Sequence, residues 1–129
     1  MDRRTFKLRV IEPHRGFEHS TLLIAEIHGD GMVDLVTPAW SKSLGYAVEE
    51  LAVLTFYDLL AEEVPAGATL QVLVAPDVQR IEFDLRCRNG ARKAFRWYRQ
   101  FDWYAQSIFI AGDEIEGRSG NVNRLRALG

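Results

Sequence analysis

Residues 81–103, which read IEFDLRCRNGARKAFRWYRQFDW, contain the strongest secondary-structure signal in the chain. Apolar and polar side chains alternate in the first half, which predicts a strand over 80–88 with one buried face and one solvated face. Asn89-Gly90 then predicts a hairpin turn, and a long second strand follows over 92–103. Four of its five aromatic side chains fall on one parity, at Phe95, Trp97, Phe101 and Trp103.

The length of the hairpin loop decides which residues of the two strands face each other. A two-residue loop would place Phe83 opposite a charged residue, whereas a three-residue loop would place it opposite Trp97. The longer loop would also place Leu85 opposite Phe95. Burial of the aromatic side chains therefore favours a three-residue loop over 89–91 with a glycine bulge.

Three further strands are predicted, one after this hairpin and two before it. The segment 106–112 is apolar on both parities, which predicts a central strand. Earlier in the chain, apolar runs over 22–28 and 32–36 are separated by a Gly-Asp-Gly turn signal and predict two leading strands.

Short helices are predicted between the leading strands and the hairpin. Thr37 is expected to cap the first helix with its hydroxyl, and Gly45 to end it in a left-handed conformation. A second helix is predicted around 48–51, and an apolar turn around Phe56. A longer helix after residue 65 is predicted to bury Leu70, Leu73 and Val74 at helical spacing and to stop at Pro76.

The resulting order is two strands, several short helices and three strands in an antiparallel meander. It predicts an α+β fold with a five-stranded antiparallel sheet in one domain over 21–116. Residues 1–20 are interpreted as an N-terminal extension, for which strand and helix both remain open. Residues 117–129 are interpreted as a linker or a short amphipathic helix carrying Val122, Leu125 and Leu128.

Composition limits the classes of function. A chain of 129 residues has room for a single core, and its net charge of -2 includes no basic stripe or acidic tail that would favour nucleic acid or membrane partners. No apolar run approaches the ~20 residues that cross a bilayer. The lone Cys87 fits a reducing compartment and a quiet buried thiol, so a cytoplasmic location is expected.

Five short motifs follow one another along the chain in a recognisable order. They are VTPAW at 36–40, LGY at 44–46, EEL at 49–51, FYDLL at 56–60 and EIEGR at 114–118. In this order and spacing the chain resembles the PAS domain family over about residues 22–118. The resemblance is incomplete, because Thr37 stands where Asn is usual and Glu114 and Glu116 replace the closing Asp and Thr.

The resemblance implies a sensory or regulatory module of a bacterial-type signalling system, such as the sensor part of a histidine kinase in a two-component system or of a nucleotide cyclase. It implies a homodimer, control of an output domain or partner protein, and a small apolar or amphipathic ligand. Signal transmission is expected at Glu114, Ile115 and Glu116. The candidate ligand pocket consists of Phe56, Leu73, Phe83, Leu85, Phe95 and Trp97.

Haem and flavin are disfavoured as cofactors of this pocket. A haem needs an axial ligand, but His14, His19 and His28 all lie outside the helical region where such domains place it. A flavin needs Asn or Gln to read its polar edge, and the inward strand offers only apolar side chains. His28, beside a turn, is expected to be a solvated turn residue.

No catalytic apparatus is evident, since the chain has no Ser-His-Asp order, phosphate-binding glycine loop or metal-ligand cluster. The alternative hypothesis is an enzyme, a cone-shaped ketosteroid isomerase-like protein. Such an enzyme would need an acid such as Asp84 or Asp102 inside an apolar cavity. Both residues fall on the parity opposite to the aromatic side chains. A second alternative is a protein-protein interaction domain without a ligand.

Overall fold

A computed structural model describes residues 7–11, 19–61, 80–116 and 126–128 of the chain. These residues form the strands β1 (Lys7–Val10), β2 (Leu23–His28), β3 (Met32–Leu35), β4 (Arg80–Arg86), β5 (Arg92–Asp102), β6 (Ser107–Glu114) and β7 (Arg126–Leu128). They also form the helices α1 (Ala39–Leu44), α2 (Val48–Leu51) and α3 (Phe56–Leu59). The predicted helix after residue 65, with Leu70, Leu73 and Val74, lies outside the described residues.

All seven described strands belong to one sheet, in the order β1-β3-β2-β6-β5-β4-β7. Neighbouring strands are antiparallel except β1 and β3, which run parallel. The five predicted strands form the middle of this sheet, and the α+β class is confirmed. The predicted number of strands is too small by two, and β6 has the central position expected of it between β2 and β5.

The two additional strands lie at the outer edges of the sheet. β1 places Leu8 beside Val33 of β3, which resolves the open choice between strand and helix for this segment. β7 pairs with β4, so a helix through Leu128 is wrong, while Val122 and Leu125 lie outside the described residues. A short isolated helix is costly to nucleate, whereas the edge of β4 offers unpaired backbone N–H and C=O groups. Pairing as a strand is therefore more favourable for residues 126–128. The sheet therefore extends beyond the predicted limits of 21–116.

The β4–β5 hairpin has a three-residue loop, but it lies one position earlier than predicted. The Cys87 N–H donates to the Ala91 carbonyl (2.7 Å), and the Gly90 N–H donates to the Cys87 carbonyl (2.9 Å). Gly90 takes the positive φ of 90° that this turn requires. As a result Phe83 lies opposite Phe95, and the predicted pairing of Phe83 with Trp97 and of Leu85 with Phe95 is wrong. The parity of the inner-face residues is as predicted, but the solvated face expected for β4 is wrong, because Glu82 and Asp84 on its other face are only 4% and 5% exposed.

The entry to α1 differs from the prediction in its capping residue. Pro38 occupies the cap position, with no side-chain cap bond. The Thr37 hydroxyl instead accepts from the Ile24 N–H (3.0 Å) and donates to the Leu22 carbonyl (2.7 Å), because Thr37 lies beside the start of β2. Gly45 ends the helix at a φ of 90°, as predicted. Thr37 therefore ties the helix to the sheet.

The helices cover one face of the sheet, which is called the inner face below. Side chains of alternate residues on β2, β4, β5 and β6 meet those of the helices there and form a single hydrophobic core. None of the helices in the described residues is long and apolar enough to cross a membrane.

Candidate functional site

Four aromatic side chains form a continuous stack at the centre of the inner face. The rings of Phe83 and Trp97 lie 4.8 Å apart and nearly parallel, at 13°. Trp40 of α1 stacks on Trp97 at 5.9 Å, and Phe56 of α3 meets Phe83 edge-on at 6.3 Å. Both geometries are favourable for aromatic pairs. The stack joins two helices to β4 and β5, and is called the aromatic stack below.

The structure brings together five of the six residues of the predicted pocket. Each is at most 3% exposed, and all belong to the same hydrophobic core: Phe56, Phe83, Leu85, Phe95 and Trp97. The sixth, Leu73, lies outside the described residues. The alternation in β4 and β5 is sufficient to identify the shared face, because strand side chains alternate strictly between the two faces of a sheet.

Trp97 carries an unusual polar feature within this apolar site. Its Nε1–H is buried, and within the described part of the chain no atom accepts a hydrogen bond from it. A buried donor without an acceptor is rare in folded proteins. By contrast, the Nε1–H of Trp40 donates to the Ile24 carbonyl at 2.9 Å. Sequence alone predicts the burial of Trp97 but not the environment of its N–H.

The opposite, outer face carries a polar cluster that the sequence does not predict. The ligand-type atoms of Glu26, His28 and Asp34 lie within 4.8 Å of one another. His28 Nε2 lies 2.9 Å from Asp34 Oδ2, so His28 is not the solvated turn residue that was expected. The pairing of β2 with β3 creates the cluster by placing Glu26 beside Asp34, which sequence spacing does not reveal.

Arg9 of β1 forms an ion pair with the Asp34 carboxylate of this cluster. Its guanidinium donates to both carboxylate oxygens of Asp34, at 2.8 and 3.0 Å. This hydrogen bond lowers the pKa of Asp34 from its usual range, against the effect of burial and with a smaller contribution from His28. Because a protein cation already occupies Asp34, we assign no metal ion to the cluster.

The basic residues of the β4–β5 hairpin have partners within the domain. Arg88 Nε lies 2.8 Å from a carboxylate oxygen of Glu50, and Lys93 Nζ donates to the Ser43 carbonyl at 2.8 Å. Arg92 donates to the Ala61 carbonyl at 2.9 Å. These bonds attach the hairpin to the helical region, which supports the interpretation of these cations as structural.

Cys87 follows β4 and is buried. Burial raises the pKa of its thiol, and the nearby Lys93 lowers it by less. A thiol with a raised pKa is a poor nucleophile at neutral pH. This environment agrees with the predicted quiet thiol.

The residues proposed for signal transmission lie where β6 ends. Glu114 is the last residue of the strand and is exposed. The Ile115 N–H donates to the Ala94 carbonyl at 2.8 Å, so the chain stays attached to β5 for one more residue. Glu116 is exposed beyond it.

Neither acid of the enzyme alternative points into the inner face. Asp84 lies opposite Ala94 of β5 and shares the outer face with it. Asp102 accepts hydrogen bonds from the N–H groups of Tyr104 and Ala105 at 3.1 Å each, and so stabilises the β5–β6 turn. The helices of the described residues have four to six residues, unlike the long opening helices of the cone-shaped enzymes.

Several large apolar side chains remain exposed near the β5–β6 hairpin. Tyr98 and Phe109 lie on the outer face and are 46% and 37% exposed. Trp103, in the turn after β5, is 76% exposed although it stacks on Phe101 at 5.3 Å. We call Tyr98 and Phe109 the outer aromatic pair.

Solved structures share this arrangement of sheet and helices. The PAS domain of an HTR-like protein from Haloarcula marismortui aligns with 77% of the chain and 85% of its own length, at 16% identity and a TM-score of 0.59. A PAS domain from Desulfitobacterium hafniense aligns with 78% of the chain and 98% of its own length, at 19% identity and a TM-score of 0.64.

A third similar structure is a domain of a sensory box sensor histidine kinase/response regulator from Geobacter sulfurreducens. It aligns with 75% of the chain and 87% of its own length, at 25% identity and a TM-score of 0.55. No protein-family model matches the chain, and no curated protein sequence matches it.

Proposed function

The chain has a PAS-like fold, and from this premise we propose that it is a sensory or regulatory module of signal transduction. It binds a small apolar or amphipathic ligand on the inner face, pairs with a second copy of itself, and controls an output domain or partner protein. Ligand binding favours one arrangement of the sheet and its terminal segments, and the difference passes onward through residues 114–116.

The observation that carries the ligand proposal is the buried N–H of Trp97. A buried donor without an acceptor costs about 1–3 kcal/mol, so a ligand that supplies an acceptor gains this free energy. The side chains packed around Trp97 are aromatic, namely Trp40, Phe83 and Phe95. A planar ligand with one carbonyl or similar acceptor therefore fits the site better than a purely aliphatic one.

Native mass spectrometry of the purified protein tests this function. We expect a bound small molecule in the native protein and about tenfold weaker retention in Trp97→Phe, which keeps an aromatic ring but removes the N–H. Trp103→Phe is the matched control, because Trp103 lies in an exposed turn. Native protein without a bound molecule, and without stabilisation by any acceptor-bearing aromatic compound in a thermal screen, would contradict ligand binding.

The outer aromatic pair supports the proposed homodimer. Exposed aromatic side chains are enriched in protein interfaces, and Tyr98 and Phe109 lie on adjacent strands of one face. We expect a dimer in light scattering and a monomer after replacement of both residues by Ser. A wild-type monomer at all accessible concentrations would contradict the dimer and leave the ligand proposal unaffected.

The proposed module has no catalytic activity of its own and acts in the cytoplasm. Haem and flavin remain disfavoured as ligands. His28 is engaged with Asp34 on the outer face, and the described inner strands present no amide side chain beside Trp97. The similarity to a domain of a sensor histidine kinase/response regulator supports a place in a two-component system.

A further inference from the structure

A separate cavity lies away from the predicted ligand pocket, where the end of β1 meets α1 and α2. Its volume is about 260 Å³. Its lining consists of Val10, Ile11, Leu35, Thr37, Pro38, Trp40, Ser41, Val48 and Leu51. Among these residues only Trp40 belongs to the aromatic stack, so the cavity and the proposed pocket share one wall.

The floor of the cavity is deep and apolar. Leu35, Trp40 and Leu51 line it, yet each is only 1% exposed. Val48 of α2 is 49% exposed and lies at the mouth. The cavity is therefore a pocket that opens to solvent at Val48 and reaches down to core residues.

The polar side chains of the lining already make hydrogen bonds within the domain. None of its nine residues is charged. The Thr37 hydroxyl is engaged with Ile24 and Leu22 of the adjoining β2 region, and the Ser41 hydroxyl donates to the Tyr46 carbonyl. A charged occupant would therefore lose its hydration without compensation, whereas an apolar one would lose nothing.

The volume restricts the size of the occupant. An apolar cavity of about 150 Å³ holds one benzene molecule, and drug-sized ligands occupy pockets of about 300–1,000 Å³. The value of about 260 Å³ lies between these two limits. It corresponds to one substituted aromatic ring.

We propose that this cavity is a second ligand site, which binds a neutral apolar molecule of single-ring size and thereby fixes β1 in the sheet. β1 has four residues, and its only neighbouring strand in the described sheet is β3. Val10 and Ile11 form one wall of the cavity, while α1 and α2 form the others. An occupant bridges β1 to the helices, so its binding free energy stabilises the attached position of β1. The site goes beyond the proposed function, which places its ligand against Trp97.

Binding of 4-fluorotoluene, followed by ¹⁹F NMR, tests this proposal. We expect a Kd of roughly millimolar or tighter, and binding at least about tenfold weaker for 4-fluorobenzoate, which has similar size but carries a charge. Val48→Trp fills the mouth and should weaken 4-fluorotoluene binding by about tenfold or more. Val53→Trp is the matched control, since Val53 is 81% exposed and outside the lining.

Amide and indole NMR signals provide the second readout. On addition of 4-fluorotoluene, the Trp40 indole signal should shift while that of Trp103 does not. Hydrogen exchange of the Ile11 amide, which donates to the Leu35 carbonyl at 3.3 Å, should slow because β1 is held more firmly. Unchanged exchange at Ile11 would overturn the effect on β1.

Two results would overturn the site itself. One is the absence of 4-fluorotoluene binding, and the other is equal binding by Val48→Trp and the native protein. If the probe instead shifts the Trp97 indole and Val48→Trp has no effect, the second site is wrong while the proposed sensory function stands. Retention of a native ligand at Trp97 is measured separately by mass spectrometry, so the two proposals fail independently.

Discussion

The indole ring of Trp97 lies directly over Gly112, its partner across β5 and β6. A Cβ atom added at Gly112 would lie 2.5 Å from the Cζ3 atom of Trp97 and 2.7 Å from its Cη2 atom. Trp97 itself is held between Phe83 and Trp40, so it cannot move aside without disturbing the aromatic stack. Glycine at this position therefore leaves the space that the six-membered ring of the Trp97 indole occupies.

Gly112→Ala is expected to lower the free energy of unfolding by about 1–3 kcal/mol, the usual cost of overpacking a close-packed core. Urea denaturation measures the change. Gly29→Ala is the control, because a Cβ at Gly29 would meet its nearest neighbour, the Gln106 carbonyl, at an ordinary 3.8 Å. Equal stability of Gly112→Ala and the native protein would show that Trp97 does not occupy this position.

Phe83→Ala is expected to lower the free energy of unfolding by about 3–5 kcal/mol, because it removes a buried ring from the middle of the aromatic stack. Val53→Ala is the control, because the Val53 side chain is 81% exposed, and it should cost roughly 1 kcal/mol or less. Both are measured in urea. Similar losses for the two variants would place Phe83 outside the core.

Alkylation of Cys87 should be slow in the folded protein. Burial limits access to its thiol and raises its pKa, so little thiolate is present at neutral pH. We expect iodoacetamide to react at least about tenfold more slowly with the native protein than with the protein in urea, as measured by mass spectrometry. Equal rates would show that the thiol is accessible.

Local sequence patterns predict the middle of the sheet because alternation and turn chemistry act within a few residues. The strict alternation from Ile81 to Cys87 identifies the inner face, and Gly45 and Gly90 take the left-handed conformations that their turns require. The exact register could not be predicted. Loops over 88–90 and 89–91 have the same length and place the same residues of β4 and β5 on the inner face. Only the backbone hydrogen bonds distinguish the two registers.

Features that depend on distant segments could not be predicted in the same way. The pairing of β1 with β3 and of β7 with β4 joins residues far apart in the sequence, and neither segment is long enough to show a clear period. Thr37 directly precedes Pro38, which predicts a helix cap, but in the fold its hydroxyl bonds to the backbone of Leu22 and Ile24 instead. The polar cluster likewise depends on the pairing of β2 with β3, and the second cavity on β1, whose position no local pattern reveals.

The ion pair between Arg9 and Asp34 makes the stability of the domain depend on pH. The pKa of Asp34 is lower in the folded protein than in the unfolded chain, chiefly because of the hydrogen bond from Arg9. Above about pH 4 the carboxyl is ionised in both states, and its full contribution to stability is present. Below that pH the unfolded chain binds the proton first, so the contribution falls until the folded carboxyl is protonated too.

Asp34→Asn removes this contribution, so the stability difference from the native protein should be largest near neutral pH and shrink below about pH 4. Urea denaturation at a series of pH values measures the difference. Arg9→Gln keeps the carboxyl but removes the main cause of its low pKa, and should move the loss of stability to higher pH. A difference between Asp34→Asn and the native protein that stays constant down to pH values well below 4 would contradict the ion pair as the source. Because His28 and Glu26 also face Asp34, the same measurements on His28→Gln and Glu26→Gln separate the influence of each from that of Arg9.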